Sequence, residues 1–327
     1  MRAVRDFFDT RGFIEVDTPI MVPSPGLDLY VEAFEVAKTR PSLWLRTSPE
    51  FQMKRLLAAG FLKIYQIGKS FRREEQGALH QPEFTTVEWY RAFSGSEEVM
   101  ADTEQLVCSV AMSIRDEAAV PARARSVETD LPWEHFEYFE SKGIERIEET
   151  DLPWEHIGKL IAVDLPWERI AFAEAFERYS GHALAEVEGD DERLYRLLAE
   201  RVEPQLGKEH ACFLTRYPAR MAQLARLHPE DPKTAERFEA YIDGVELCNG
   251  FAELIDAVEQ QSRFEAEQEE RQKMGKPDHP LDRRFLQALR EGLPPCAGNA
   301  LGLDRLVMLL LGAKHIDDVL AIPFSRL

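Results

Sequence analysis

Apolar residues Val4, Phe7 and Phe8 recur at helical spacing through residues 1–12, and the pattern stops at Arg11-Gly12. Phe13 to Val16 then changes to a period of two before Thr18-Pro19, so helix, turn and strand are expected in that order. Between Tyr30 and Phe71 the runs YVEAFEV, SLWLRTS and KIYQIGKSF read as strands, separated by the helical piece PEFQMKRLLAAG, which Gly60 closes. FTTVEWYRAF is a further β-branched and aromatic run, and residues 97–114 return to helix with Val99, Leu106, Val107, Val110 and Ile114 on one face. In the second half, helices are expected at 191–202, 232–240, 257–273, 284–291 and 302–311, with strands at CFLTRYP, YIDGVELCNGF and CAGNAL. Strands in runs bounded by helices indicate an α+β fold with a mostly antiparallel sheet.

One segment stands apart from this pattern. ETDLPWEH occurs at 128–135 and again at 149–156, and DLPWE returns at 164–168. The spacing is irregular and the copies are too few for a solenoid. The third copy runs straight into IAFAEAFERY and is expected to belong to the core, which leaves about 116–163 as an acidic insertion in a single catalytic domain spanning 1–327. A duplicated surface loop is the plainer reading of that insertion. Trp133 and Trp154, costly to leave in water, suggest a docking or dimer element as the sharper one.

Charge narrows the function classes. Against 59 acidic residues stand 40 basic ones, a net charge of −19, which disfavours binding along a phosphate backbone. No run reaches the roughly 18 apolar residues of a membrane span, and the charged N-terminus has no signal-peptide core, so a cytoplasmic protein is expected. Cys108, Cys212, Cys248 and Cys296 lie far apart without a CxxC pair, which argues for reduced thiols over disulfides or structural zinc.

The densest chemistry lies in SFRREEQGALHQPEFTTVEWY, residues 70–90, where Arg72, Glu74, His80, Phe84, Glu88 and Tyr90 punctuate two expected strands. A guanidinium can grip a phosphate, a carboxylate can accept from an exocyclic amine, and an aromatic ring can lie on a purine, so the mixture suits a nucleotide. Taken alone it fits a salt-bridged hairpin equally well. In FEAYIDGVELCNGFAELID, Glu239, Glu246 and Glu253 recur every seventh residue with Asn249 between the last two. Carboxylates at this density, among apolar neighbours, suit Mg²⁺ that also binds substrate phosphates. GNALGLDRLVMLLLG then passes from small residues into an apolar helix with Arg305 near its first turn, able to neutralise a terminal phosphate if it faces the nucleotide.

In this order the three segments resemble motif 2, the metal-binding strand and motif 3 of class II aminoacyl-tRNA synthetases, in the wording of the lysyl branch. RGFIEVDTPIM is similar to motif 1, and TSPEFQMKRLLAAGF to the substrate-strand segment. Because motif 1 begins at the first residue, the anticodon-binding barrel of lysyl-tRNA synthetases is not expected. Ala300, in a segment that is glycine-rich in those synthetases, is similar to the paralogues that attach β-lysine to a lysine of elongation factor P, as are TSPE at 47–50 and EWY at 88–90.

The resemblance implies a class II synthetase-like antiparallel sheet flanked by helices, and a homodimer formed through residues 1–20, to which Phe7, Phe8 and Phe13 would bring apolar surface. It implies a bent ATP with Arg72 on the α-phosphate, Glu74 on the adenine amine, His80 and Arg305 towards the β and γ phosphates, and Phe84 stacked on the ring. Gln81, Leu247 and Gly302 would flank the nucleotide, and Glu239 and Glu246 would hold Mg²⁺. Arg72 and Arg305 would carry the catalytic charge neutralisation. Lysine or β-lysine would place one ammonium on Glu50 and the other among Glu88, Tyr90 and Glu253, with Ser48 and Asn249 orienting it and Ala300 shaping the wall. The implied acceptor is elongation factor P, with no tRNA and no membrane partner, docked on a basic strip of Lys54, Arg55, Lys63, Lys69 and Arg73. Arg73 and Gln81 depart from the family, which usually has Asn at both places. The competing readings are a ligase with another amine or tRNA as acceptor, and a non-catalytic protein that binds an amino acid or nucleotide; amino-acid-dependent ATP–pyrophosphate exchange separates the second from an enzyme.

Overall fold

The computed structural model describes residues 1–119, 165–222 and 224–327. In chain order these form α1 (Arg2–Asp9), β1 (Ile14–Glu15), β2 (Met21–Val22), β3 (Glu35–Val36), β4 (Leu43–Leu45), α2 (Glu50–Ala58), β5 (Lys63–Phe71), β6 (Glu83–Ala92) and α3 (Ser96–Ala119). They continue with β7 (Glu168–Ala171), α4 (Phe172–Ser180), α5 (Asp191–Leu197), β8 (Cys212–Pro218), β9 (Thr234–Ile242), β10 (Val245–Ala252), α6 (Ala257–Lys273), α7 (Arg283–Gly292), β11 (Cys296–Gly302) and α8 (Leu303–Leu310).

Eight strands form one sheet in the order β1-β5-β6-β11-β10-β9-β8-β7. The six central strands pair antiparallel, and each edge adds one parallel strand, β1 on β5 and β7 on β8. The fold is α+β, as the pattern of runs indicates. Alternation along the strands gives the sheet two different faces. Val87, Trp89, Phe238, Ala240, Ala297 and Leu301 point to one face and are covered by Val4, Phe7 and Phe8 of α1, Leu106 and Val107 of α3, and Leu306 and Leu310 of α8. The other face carries Glu88, Tyr90, Arg237, Glu239, Asn249 and Ala300, all of which line a cavity.

Several expectations change. The stretch 232–240 is not a helix but most of β9, whose Ala, Glu and Arg content is helix-like yet whose backbone is claimed on both sides by β8 and β10. YIDGVELCNGF is a hairpin, not one strand: Asp243 and Gly244 turn it with φ of 52° and 76°, the geometry an Asp-Gly pair favours between two strands. YVEAFEV contributes only the two residues of β3, and the helix over 191–202 ends its α-helical part at Leu197 and continues as a wider π turn.

Phe7, Phe8 and Phe13 are all buried in the central core, so they bring no exposed surface to a dimer interface. Apolar residues left exposed near that end are Ile14, Ile20, Met21, Phe61 and Leu62. The third DLPWE copy does join the core: the Trp167 ring lies 5.3 Å from Phe213, and its backbone N–H donates to Glu104 at 3.0 Å. The first two copies lie outside the described residues. All four cysteines are reduced, none of them in a disulfide.

Candidate active site

Strand register alone builds the centre of the site. Ala300 on β11 stands opposite Glu88 on β6 and, on its other side, opposite Asn249 on β10, which in turn faces Glu239 on β9. The next row on the same face is Tyr90, Gly298, Phe251 and Arg237. Gly298 is required there, because a Cβ would sit 2.2 Å from the Tyr90 ring. These rows floor a cavity of about 360 Å³. Of the residues expected in the site, Ser48, Glu50, Arg72, His80, Gln81, Phe84, Glu88, Tyr90, Glu239, Glu246, Leu247, Asn249, Glu253, Ala300, Gly302 and Arg305 all line it.

Glu74 does not join them: its side chain is exposed and accepts from Arg73 at 3.1 Å, while the neighbouring Glu75 lines the cavity instead.

One end of the cavity is acidic. Ser48 Oγ donates to Glu88 Oε1 at 2.8 Å and accepts from the Glu50 backbone N–H, tying the start of α2 to β6. Tyr90 OH donates to Glu88 Oε2 at 3.3 Å. Burial, with the Glu50 charge adding to it, pushes the Glu88 carboxyl up to about 7. Burial likewise pushes Glu253 up, against the pull of the Lys54 ammonium. Lys54 pairs with Glu50 at 2.5 Å and also with Glu253, and its side chain is fully buried. This removes Lys54 from the basic docking strip. In the remainder of that strip, Lys69 is paired with Glu83 and Arg73 with Glu74.

The other end is built for phosphate. Arg72 Nη1 donates to Glu75 at 3.1 Å, and its guanidinium lies 5.2 Å from the Phe84 ring centre. Arg305 donates to the Leu79 and Glu246 carbonyls at 3.2 and 2.8 Å and reaches Glu246 Oε2 at 3.2 Å, with Nη2 2.6 Å from His80 Nε2. Burial and then the Arg305 charge push the His80 pKa down, so the ring is neutral and can accept from the guanidinium. Gln81 is held from outside the cavity, donating to Asp317 at 2.7 Å and accepting from the Phe324 N–H.

Glu239 is buried, accepting from Arg237 at 2.7 Å and from the Tyr217 and Tyr241 hydroxyls. Its carboxyl is pushed up by burial, and Glu246 adds to the rise. Glu203, pushed up to about 7 by burial and then by Glu239 and Glu246, is a third acid in the same field. Among the described residues no three His, Cys, Asp or Glu side chains meet at metal-holding geometry. Two carboxylates plus phosphate oxygens and water are, however, a sufficient donor set for Mg²⁺, and a buried acid whose pKa a neighbouring carboxylate raises fits a cation beside it.

Glu75, Glu203 and Arg237 are acids and a base around the site that the sequence pattern did not single out, and Lys54 stands beside Glu50 and Glu253 and not on the docking strip expected for it. Two carried a signal: Lys54 is four residues past Glu50 on one helix face, and Arg237 is two before Glu239 on one strand face.

The profile of the tRNA synthetases class II (D, K and N) matches residues 1–326. Among curated proteins, the elongation factor P–(R)-β-lysine ligase of Yersinia enterocolitica is 37% identical over 335 residues, covering 100% of this chain and 93% of that protein. The protein of the same name from Hamiltonella defensa is 38% identical over 333 residues, with the same coverage.

Proposed function

The chain belongs to the class II tRNA synthetase family of the D, K and N type, and from that membership we propose the reaction it performs. It is an ATP-dependent ligase that activates (R)-β-lysine, or lysine, as an aminoacyl-adenylate and transfers the aminoacyl group to a lysine side chain of elongation factor P. The observation that carries this reading is the polarity of one cavity, with Glu50, Glu88 and Glu253 at one end and Arg72, His80 and Arg305 at the other. A substrate with two ammonium groups and one carboxylate matches the acidic end, and a triphosphate matches the basic one.

In the first step a carboxylate oxygen of the amino acid attacks the α-phosphorus, and the bond to the bridging oxygen of pyrophosphate breaks. Arg72 stabilises the charge developing at the α-phosphate, and Arg305, braced by Glu246 and His80, faces the departing pyrophosphate. Phe84, beneath the Arg72 guanidinium, would stack on adenine. Glu239 and Glu246 would hold Mg²⁺, which supplies neutralisation of phosphate charge. In the second step the acceptor amine attacks the carbonyl carbon, AMP leaves, and an amide forms. The residues named here orient and neutralise; none has to form a covalent bond.

The finer proposal is a cytoplasmic homodimer without a tRNA substrate. No helix among the described residues is long and apolar enough to cross a membrane. The deciding experiment incubates elongation factor P with this protein, ATP and either α- or β-lysine and weighs the product: a gain of one lysyl unit on a single lysine is expected. Charging of tRNA with no change in the factor's mass would overturn the acceptor.

A further inference from the structure

We infer, resting on the function just proposed, that Lys54 is a positioning residue of the amine pocket: its ammonium takes one oxygen each from Glu50 and Glu253 and so fixes the direction of the other two, Glu50 Oε2 and Glu253 Oε1, towards the substrate's ammonium groups. Lys54 does not line the cavity, whereas both of its partners do. Its side chain and that of Glu253 have no exposure at all, and Glu50 retains 17%. Nζ meets Oε1 of Glu50 in a hydrogen-bonded ion pair and Oε2 of Glu253 in an ion pair alone, and neither Glu253 oxygen has a hydrogen-bond partner among the described residues. The ammonium also lies 5.2 Å from the Phe251 ring centre and 5.7 Å from that of Phe285, so aromatic walls limit where it can go.

The two acids come from different parts of the fold. Glu50 opens α2, and Glu253 follows the last residue of β10, held by its N–H to the Cys296 carbonyl at 2.9 Å. Without an ammonium between them, two neighbouring buried carboxylates cannot both stay charged; one takes a proton and offers a hydroxyl where the substrate needs an acceptor. With Lys54 in place the ammonium offsets part of the repulsion and of the cost of burial, so the pair holds more negative charge than it could alone. The pocket therefore keeps two aligned acceptor oxygens without the full repulsion of two unpaired anions. A resident cation that occupies only the rear oxygens also sets how far apart the front oxygens lie, and this spacing decides which separation of two amine groups fits.

Lys54→Met removes the charge while keeping an unbranched side chain of similar volume. Lys54→Arg keeps the charge and changes the reach. Both are assayed by ATP–pyrophosphate exchange, with KM for ATP and for lysine or β-lysine determined separately across pH, and folding checked by thermal melting. Lys54→Met is expected to raise the amino-acid KM about tenfold or more while the ATP KM stays within about twofold. The pH dependence of the amino-acid KM should also move upward, because Glu253 loses the ammonium that holds its carboxyl down. Lys54→Arg is expected to change the ratio of the KM values for α- and β-lysine. Should Lys54→Met fail to fold, the Arg variant decides: an unchanged ratio overturns the inference. A folded Lys54→Met with an unaltered amino-acid KM, or with both KM values rising in parallel, overturns it too. A wild-type protein that supports exchange with no diamino acid overturns the functional reading beneath it, which is a distinguishable result.

Discussion

Ala300 and Glu88 face each other across the β11–β6 pairing, with Asn249 on the far side of Ala300. The methyl group thus stands between the carboxylate expected to hold a substrate ammonium and the amide expected to orient it. One methyl at a packed pocket wall changes binding by about 1–3 kcal/mol, or roughly 10–200-fold between close analogues. Moving an amine from the α to the β carbon displaces it by one bond, a shift on the scale of that methyl. Ala300→Gly is expected to raise kcat/KM for α-lysine relative to β-lysine, with wild type preferring the β form. Equal ratios in wild type and mutant, measured by pyrophosphate exchange, would move the selectivity elsewhere in the pocket.

The period of two along the FTTVEWYRAF strand puts Glu88 and Tyr90 on one face, and the paired strands bring Ala300, Asn249 and Glu239 to the same face. Spacing along the sequence was less informative about distance. Glu246 and Glu253 are seven residues apart on an extended strand, about 20 Å end to end, and they serve opposite ends of the cavity. Lys54 looked like one more surface cation because neither Glu50 nor Glu253 is visible as its partner until α2 docks on the sheet. Residues 232–240 misled for a related reason: their propensity is helical, and only the neighbouring strands make them β9. Glu74 and Glu75 sit side by side in a loop, where no periodicity tells which one turns inward.

Glu246 presents a partly exposed carboxylate to the phosphate end, braced by Arg305 at 3.2 Å. Glu246→Gln keeps the size and the Arg305 hydrogen bond and removes one anionic ligand. Exchange is expected to fall by about a hundredfold, with more Mg²⁺ needed for half-maximal rate and the melting temperature unchanged. Full exchange in this variant, or in the presence of a chelator, would remove the metal assignment.

Trp167 anchors the point where the chain re-enters the described fold, with its ring against Phe213 and its N–H on Glu104. Truncating a buried Trp costs about 3–5 kcal/mol. Trp167→Ala should lower stability by that amount in urea unfolding, with no change in the amino-acid KM of the molecules that remain folded. A loss below about 1 kcal/mol would mean the ring is not part of the cooperative core.

Ile14, Phe61 and Leu62 remain exposed side by side at β1, a two-residue edge strand beside the start of β5. Apolar surface concentrated there suits a self-complementary contact between two copies. Light scattering at micromolar concentration should give a dimer mass, and the double substitution Ile14→Asp, Leu62→Asp should give a monomer with the tertiary fold retained. A monomeric wild type would exclude the contact.

Glu88 makes the amine pocket sensitive to pH. Its carboxyl, ordinarily near 4.5, is pushed up to about 7, first by burial and then by the Glu50 charge. In the free protein it is therefore largely protonated at pH 6 and largely charged at pH 8. A substrate ammonium binds the charged form, so the amino-acid KM should fall as pH rises through about 7, with a proton released on binding below that value. The effect on stability has the opposite sign: a raised carboxyl pKa favours the folded state fully below about 4.5, and that advantage is lost as pH climbs through about 7. Bound amino acid restores it by supplying a counter-charge, so the gain in melting temperature on adding lysine or β-lysine should be larger at pH 8 than at pH 6. Glu88→Gln cannot titrate; it should remove the part of both profiles centred near 7, leaving the contribution of Glu253, and raise the amino-acid KM at pH 8 by about tenfold or more. If the KM of wild type did not change between pH 6 and pH 8, Glu88 would already be charged throughout, and the pull of Ser48, Arg46 and Tyr90 on the carboxylate would outweigh its burial.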